Sequence, residues 1–324
     1  MAASMTENAA HRPLLVALVG PTATGKTTLA IALAERLRVA TPAIICAAVA
    51  ADSRQIYRLM DIATAKPAPT ERALLPHSLI DMVWPDERYT LAQYQRDAQA
   101  VIATLHTQGT LPLLVGGTGL YVRAVVDGLA IPAVAPNPML RAELEAQAAT
   151  VGADALHQRL AARDPLAAAS IAPTNLRRVI RALEVCLATG QPFSAQQGAR
   201  PTPYRTLLIG LNMDRAALYT RADRRIDAML AAGLVEETQS LLARGYGWEL
   251  PAMSSLGYRE IAAYLRGETT LAVATEHFKL ATHAYIRRQL TWFRPDTRIH
   301  WLDAALPLET LATQTEALVA ARSI

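Results

Sequence analysis

The feature that most constrains this chain is a glycine-containing loop at residues 20–27, GPTATGKT, between an apolar run and a helix-like segment. It fits the pattern G-x-x-x-x-G-K-T, in which glycines turn backbone N–H groups inward and lysine adds a full charge. We therefore expect this phosphate loop to bind at least two phosphates, with Thr27 placed to ligate Mg²⁺. Its residues are Gly20, Pro21, Thr22, Ala23, Thr24, Gly25, Lys26 and Thr27. A glycine-rich turn without a ligand is the alternative.

Two further apolar runs of strand length end in residues that could reach the same ligand. The run at 43–51 shows no polar alternation and ends at Asp52, while the run at 111–115 ends in GGTGLY at 116–121. Such runs, alternating with helical segments, are typical of a parallel sheet covered on both faces. Ligands of these sheets bind at the carboxyl ends of the strands. We therefore expect Asp52 to face the phosphate loop, although a helix-capping aspartate would give the same pattern.

The remaining segments divide the chain into a core and an insertion. The other predicted elements of the core are a strand at 77–83, a helix at 89–107, a strand at 206–211 and helical structure from 214 nearly to 294. Connectors rich in proline, glycine or glutamine at 131–138 and 190–205 enclose a helical stretch. We predict an α/β core at 12–135 and 200–324, a helical insertion at 136–199 and a flexible tail at 1–11.

Composition and charge place few limits on function. The chain has 324 residues, 52% of them hydrophobic, and a net charge of +4, which leans weakly towards an anionic partner. Cys46 and Cys186 lie in separate apolar segments, as expected of buried thiols in a reducing compartment. Apolar runs are shorter than the roughly 18 residues of a membrane span, and the N-terminus lacks the apolar segment of a signal peptide. We expect a cytoplasmic monomer that does not enter membranes.

Arginine clusters in the second half of the chain are typical of a nucleic-acid surface. The groups are Arg177, Arg178 and Arg181, then Arg221, Arg224 and Arg225, and finally Arg287 and Arg288. Together with Tyr258, Trp292 and Phe293 they would suit a single strand, where guanidinium groups meet phosphates and rings stack on bases. Solvated helix faces are the alternative. A small-molecule kinase or NTPase also stays open, since Asp81 ends a strand-like segment and could bind Mg²⁺.

Eight motifs that occur in a fixed order indicate a family. They are GPTATGKT (20–27), DSRQIY (52–57), MDIATAKP (60–67), PHSLIDM (76–82), LLVGGTGLY (113–121), RVIRALE (178–184), LGYRE (256–260) and RRQLTWFR (287–294). The set resembles the tRNA dimethylallyltransferases of the bacterial type, which modify the adenosine 3′ of the anticodon. The resemblance implies a core related to P-loop kinases with a helical insertion. A relative acting on free adenine nucleotides is a further alternative, disfavoured because a small substrate needs no arginine-bearing clamp.

The resemblance gives the phosphate loop a ligand other than ATP. It implies that the loop binds dimethylallyl diphosphate with Mg²⁺ bridging. Lys26, Thr27 and Arg221 would then stabilise the diphosphate as the allylic C–O bond breaks. Asp52 would act as base towards the exocyclic amine of adenine, and Thr118 would help to hold the diphosphate end or the reacting base. The adenosine must leave its stack, at a cost that is lowest in an unpaired anticodon loop.

The same resemblance implies a set of tRNA contacts, in which the insertion clamps one side of the anticodon stem-loop. The residues are Asp52, Ser53, Arg54, Gln55, Thr118, Arg141, Arg177, Arg178, Arg181, Ser254, Gly257, Tyr258, Arg259, Arg287 and Arg288. The chain departs from the family pattern at Ala63, where glycine is usual, near Ser254, where arginine or another polar residue is common, and at His283-Ala284, where a basic residue and glutamine are usual. These departures bear on RNA contact and on the loop at 60–67.

Overall fold

A computed structural model describes residues 12–323, and the contacts within it divide them into two units. The first unit comprises the described residues up to Val126 and those from Thr202 onward, and the second comprises Asp127–Pro201. The predicted tail at 1–11 lies outside the described residues. Within residues 12–323, no helix combines the length and apolar character needed to cross a membrane.

The first unit is built on a six-stranded parallel sheet. Its strands are β1 (Leu14–Val19), β2 (Ile45–Ala50), β3 (His77–Ser78), β4 (Thr110–Val115), β5 (Arg205–Asn212) and β6 (Ile299–Asp303). They lie in the order β3-β2-β4-β1-β5-β6, and each neighbouring pair is parallel. The predicted α/β class with a parallel sheet is confirmed.

Helices cover both faces of this sheet. In chain order, the helices of both units are α1 (Lys26–Ala40), α2 (Pro69–Leu74), α3 (Leu91–Thr107), α4 (Gly119–Val126), α5 (Pro138–Val151), α6 (Ala153–Arg163), α7 (Pro165–Ser170), α8 (Leu176–Thr189), α9 (Arg215–Ala231), α10 (Leu234–Ala243), α11 (Tyr258–Leu265), α12 (Leu271–Phe293) and α13 (Leu308–Ser323). Leu15, Ala17 and Val19 of β1 pack towards α3 and α4, whereas Val16 and Leu18 pack towards α1. A strand buried on both faces has no polar side, which is why unbroken apolar runs predicted it.

Three predicted elements differ from the structure. The strand predicted at 77–83 ends at Ser78, because Leu79 and Asp81 adopt left-handed backbone conformations with φ of +64° and +56°. The helical stretch predicted from 214 is divided into four helices, with an irregular segment between α10 and α11. The final strand and helix, β6 and α13, were not predicted.

The second unit holds α5–α8 around its own apolar core, which includes the buried carboxylate of Glu184. Glu184 is 0% exposed, and its Oε1 accepts from the Asn137 N–H at 2.6 Å. Its Oε2 accepts from Arg141 Nη2 at 2.7 Å and from Arg181 Nη1 at 2.5 Å. Burial opposes ionisation, but these hydrogen bonds outweigh it and lower the pKa of Glu184 to about 2.

Replacing Glu184 with alanine should destabilise the second unit, by roughly 3 kcal/mol at neutral pH, because two arginines lose their carboxylate. The pKa lies below its ordinary value of 4.5 in the folded state, so the stabilisation holds above pH 4.5 and fades as the pH falls towards 2. In the wild type, the protection factors of the α8 amides against hydrogen exchange should fall as the pH is lowered from 4.5 towards 2. In Glu184→Ala these protection factors should be lower at neutral pH and should change less over the same range. An equal loss of stability in the exposed control Glu143→Ala would contradict the assignment of this stabilisation to Glu184.

Candidate active site

The phosphate loop joins β1 to α1 around an inward-folded lysine. Gly25 caps α1 with φ +89°, and Ala23 is also left-handed at φ +64°. Lys26 Nζ donates to the Pro21 carbonyl at 2.7 Å, and Thr24 Oγ1 donates to the same oxygen at 2.9 Å. The Thr27 side chain is half-buried and makes no hydrogen bond within residues 12–323, so its hydroxyl is available to a ligand.

Four charged side chains act on one another at this loop. Burial lowers the pKa of Lys26 to about 7, with Asp52 raising it and Arg225 lowering it further. Burial also lowers the pKa of Arg225, which Asp52 raises and Arg221 lowers. Arg225 Nη1 donates to Thr22 Oγ1 at 3.5 Å, and a Cβ atom at Gly25 would lie 3.1 Å from Arg221 Nη2. One carboxylate among three cations leaves a net positive charge that favours an anionic ligand.

Asp52 and Thr118 lie at the ends of neighbouring strands and are tied together through Ser53. Asp52 Oδ1 accepts from the Arg54 N–H at 2.8 Å, and Thr118 Oγ1 accepts from the Ser53 N–H at 3.0 Å. The Thr118 N–H in turn donates to the Ala51 carbonyl at 3.1 Å. Asp52 therefore closes its own turn and also acts on Lys26 of the phosphate loop, whereas the helix-capping alternative is wrong, because no helix begins at this residue.

A cavity of about 620 Å³ brings Asp52, Thr118 and Arg225 together with Thr22 of the phosphate loop, whereas Lys26, Thr27 and Arg221 are not among its lining residues. Its polar side includes Thr22, Asp52, Thr118 and Arg225, and its apolar side is formed by Ala222, Ile226, Met229 and Phe278. A cavity of this size is in the range of sites that hold small ligands. An anion-binding end next to an apolar wall suits a ligand that combines phosphate with hydrocarbon.

Helix α12 contributes three residues to the site, of which Tyr285 and Gln289 were not predicted from the sequence. Burial raises the pKa of the Tyr285 hydroxyl, Asp52 raises it further and the nearby Thr118 side chain lowers it. Gln289 Oε1 accepts from the Thr22 N–H at 2.9 Å, while its Nε2 donates to the Gly117 carbonyl at 2.9 Å. Trp292 occupies the space where a Cβ atom at residue 119 would lie. The RRQLTWFR motif contains two of these residues, but nothing in its spacing indicates which side chains face inward.

Several of the predicted RNA-contacting residues line the cavity. They are Asp52, Ser53, Arg54, Thr118, Ser254, Arg259 and Arg288. Arg287 is exposed and donates to the Tyr219 hydroxyl at 3.2 Å. Gln55 instead holds the loop at 60–67, because its Nε2 donates to the carbonyls of Thr64 and Ala65 at 3.2 and 3.1 Å.

The RNA contact predicted for Tyr258 is wrong in this conformation. Tyr258 is 0% exposed, and its hydroxyl donates to Glu237, whose carboxylate also accepts from the N–H groups of Asp61 and Ile62. The neighbouring Gly257 is buried as well. These residues support the loop after β2 from behind, so the motif LGYRE carries a structural role alongside its cavity-lining Arg259.

The four arginines predicted to contact RNA from the insertion fall into two pairs. Arg177 and Arg178 are exposed, and their guanidinium groups have no hydrogen-bond or ion-pair partner among the described residues. Arg141 and Arg181 are held by Glu184, with side chains 33% and 27% exposed. Arg177 and Arg178 are thus the members of this set whose guanidinium groups are free to meet phosphates.

Asp81, which would bind Mg²⁺ in the kinase alternative, is ion-paired away from the cavity. It forms ion pairs with Lys66 at 2.6 Å and Arg72 at 3.2 Å, and Lys66 also pairs with Asp61 at 2.6 Å. Asp81 does not line the cavity. Residues 12–323 contain no cluster of three or more His, Cys, Asp or Glu that could hold a metal ion. A magnesium ion at the phosphate loop would therefore rely on Thr27 and on oxygens of the ligand, as Mg²⁺ commonly does.

The departures at positions 63 and 283 have clear structural partners. A Cβ atom at Gly257 would lie 2.8 Å from Ala63 Cβ, so the alanine methyl occupies space beside that glycine. His283 Nε2 contacts Asp223 Oδ1 at 2.8 Å, and its ring stacks on Tyr219 with centroids 4.0 Å apart. The histidine thus joins α12 to α9.

The comparisons with known proteins agree with one another. The sequence profile of the IPP transferase family matches residues 55–296. A tRNA dimethylallyltransferase of Roseiflexus sp. (strain RS-1) is 55% identical over 86% of this chain and 90% of its own length. One from Roseiflexus castenholzii is 52% identical over 94% of this chain and 97% of its own.

Solved structures extend the similarity to the fold. The full-length tRNA isopentenylpyrophosphate transferase of Bacillus halodurans has a TM-score of 0.71 and 39% identity, covering 96% of each chain. A eukaryotic dimethylallyltransferase described as acting on tRNA has a TM-score of 0.79 and 26% identity, covering 94% of this chain and 77% of its own. The family profile begins after the phosphate loop and Asp52, whereas these structures cover nearly the whole chain.

Proposed function

Because the chain belongs to the IPP transferase family, we propose that it transfers a dimethylallyl group from dimethylallyl diphosphate to tRNA. The acceptor is the exocyclic N6 amine of the adenosine 3′-adjacent to the anticodon, and diphosphate is released. One observation carries the assignment of these roles to residues. The phosphate-loop residue Thr22, the carboxylate Asp52 and the hydroxyl Thr118 line a single cavity that also has an apolar wall.

The donor is bound through its diphosphate and its hydrocarbon tail. The loop amides, Lys26 and Arg221 receive the diphosphate, and Arg225 adds a cation from the cavity side. These groups stabilise the negative charge that develops on the leaving oxygen as the allylic C–O bond breaks. The apolar wall shields the dimethylallyl carbons from water, which protects the reacting carbon from hydrolysis.

Asp52 serves the acceptor. The lone pair of N6 forms the new bond to the allylic carbon, and the proton that N6 loses passes to the Asp52 carboxylate. Thr118 holds the reacting groups beside Asp52, because it is anchored to Ser53. A kinase role is disfavoured, since Asp81 is neutralised by Lys66 and Arg72. The insertion favours tRNA over a free nucleotide, because Arg177 and Arg178 provide exposed charge for an extended anion.

Mg²⁺ fits the donor end of the site. The Thr27 hydroxyl has no partner among the described residues and stands next to Lys26 at the start of α1. Bound to Thr27 and diphosphate oxygens, Mg²⁺ would add positive charge to the leaving group. A cytoplasmic location and a monomeric state stay predictions from the sequence.

The function is tested by weighing RNA after reaction. Anticodon stem-loop RNA is incubated with the protein, Mg²⁺ and either dimethylallyl diphosphate or ATP. We expect a mass gain of one dimethylallyl group with the first donor and none with the second. Phosphate release from ATP without a change in RNA mass would instead support an NTPase.

Replacing Asp52 with asparagine should remove the base while keeping the oxygen that accepts from the Arg54 N–H. Turnover should then fall by about 10²–10⁴-fold. Donor affinity, measured by calorimetry without RNA, should change by less than about threefold, since the lost proton transfer occurs after binding. Normal turnover in Asp52→Asn would eliminate this residue as the base.

Donor binding should depend on pH through Lys26. With a pKa of about 7 in the free protein, this amine is largely neutral above pH 7 and must gain a proton when diphosphate binds. The dissociation constant should therefore rise by up to about tenfold per pH unit above 7. Lys26→Gln, which cannot titrate, is the control for the ionisation of the donor itself. Calorimetry at pH 8 in buffers of different ionisation enthalpy counts the protons taken up, and an uptake of zero would contradict the mechanism.

Removal of charge at Arg177 and Arg178 should weaken RNA binding in a salt-dependent manner. The slope of log affinity against log salt should become shallower by about 0.7 per lost phosphate contact on a single strand. Arg244→Ala, at an exposed arginine in the first unit, is the matched control and should leave the slope unchanged. Equal slopes in the wild type and the double variant Arg177→Ala, Arg178→Ala would assign both arginines to a solvated face.

A further inference from the structure

Gln289 connects the two loops that approach the cavity from different strands. It lies on α12, is 5% exposed and lines the cavity wall. Its Oε1 accepts from Thr22 in the phosphate loop after β1, and its Nε2 donates to Gly117 in the turn after β4, each at 2.9 Å. A single rigid amide therefore spans the donor loop and the turn that carries Thr118.

The chemistry of these contacts suits an amide side chain. A backbone N–H needs an acceptor and a carbonyl needs a donor, and the glutamine amide presents both on one planar group without having to titrate. The orientation of the amide is fixed by its partners. The two residues are closely packed, because a Cβ atom at Gly117 would collide with Gln289 Nε2.

The neighbours of Gln289 on α12 reinforce the same turn. Residues 285, 289 and 292 are spaced by four and three, so they lie on one face of the helix. Tyr285 lines the cavity beside Thr118, whose side chain influences the pKa of its hydroxyl, and Trp292 lies against Gly119. One helix thus lies against the turn at Gly117, Thr118 and Gly119. Among the three helix residues, Gln289 is the one that also contacts the phosphate loop.

We propose that Gln289 is a positioning residue that fixes the separation between the diphosphate loop and the Thr118 turn. It serves the transfer step, in which donor carbon and acceptor nitrogen must meet, more than the binding of either substrate alone. This inference rests on the function proposed above. Misplacement of reacting groups by about 1 Å can cost about 10²-fold in rate, so loss of the bridge should be visible mainly in kcat.

The test compares Gln289→Leu with Gln289→Glu. In Gln289→Leu both hydrogen bonds are lost, and we expect kcat to fall by about 10–10²-fold. The dissociation constant of dimethylallyl diphosphate without RNA should change by less than about threefold. A protonated glutamic acid can accept from Thr22 and donate to Gly117, whereas the carboxylate cannot donate. The kcat of Gln289→Glu, relative to wild type, should therefore recover as the pH is lowered, and that of Gln289→Leu should not.

Thr291→Ala, on the exposed side of the same helix, is the control and should retain wild-type kcat and stability. Thermal unfolding of each variant shows whether the assays compare folded protein. If Gln289→Leu does not fold, the recovery of kcat at low pH in Gln289→Glu still tests the inference. Unchanged kcat in the variants would overturn the inference, as would donor affinity that falls in proportion to kcat. Failure of the proposed function is distinguishable, since wild type and Thr291→Ala would then leave RNA unmodified.

Discussion

Parallel hydrogen bonding between β2, β4 and β1 is the constraint on which the site depends. The Gly116 N–H donates to the Leu18 carbonyl at 3.1 Å, and the Ala51 N–H donates to the Val115 carbonyl at 2.8 Å, so the ladders continue past the strands into the functional loops. Adjacent parallel strands end at the same edge of a sheet, and their loops must therefore share a crevice. The roles proposed for these loops, in phosphate capture, proton removal and acceptor positioning, are therefore brought together at one edge of the sheet.

Within that crevice, the charged side chains and the neutral contacts of helix α12 have separate roles. The Lys26 amine donates to the Pro21 carbonyl, and its pKa is lowered by burial and by Arg225 and raised by Asp52. The positive charge of the loop can therefore increase when an anion binds. Helix α12 contacts the phosphate loop through the neutral amide of Gln289. A neutral bridge can hold two loops together without competing with the diphosphate for the same cations.

Much of this arrangement could be predicted from the sequence, because local rules govern it. The G-x-x-x-x-G-K-T pattern and the unbroken apolar runs specify a strand, a phosphate loop and a parallel sheet, and they place Asp52 at the correct edge. Tertiary packing governs the rest. Whether Tyr258 faces RNA or the core, and whether Arg181 is free or paired with Glu184, depends on residues distant in sequence. The short β3 depended on left-handed residues that apolar periodicity does not encode.

The contact between Ala63 and Gly257 couples two positions that lie almost two hundred residues apart. Gly257 combines φ +89° with Phe278 carbons at about 3 Å from where its Cβ would be, so this residue has little freedom to change. The methyl group at position 63 fills the remaining gap. We therefore expect the two positions to vary together in the evolution of this lineage. A side chain at 63 should be tolerated only where residue 257 is glycine.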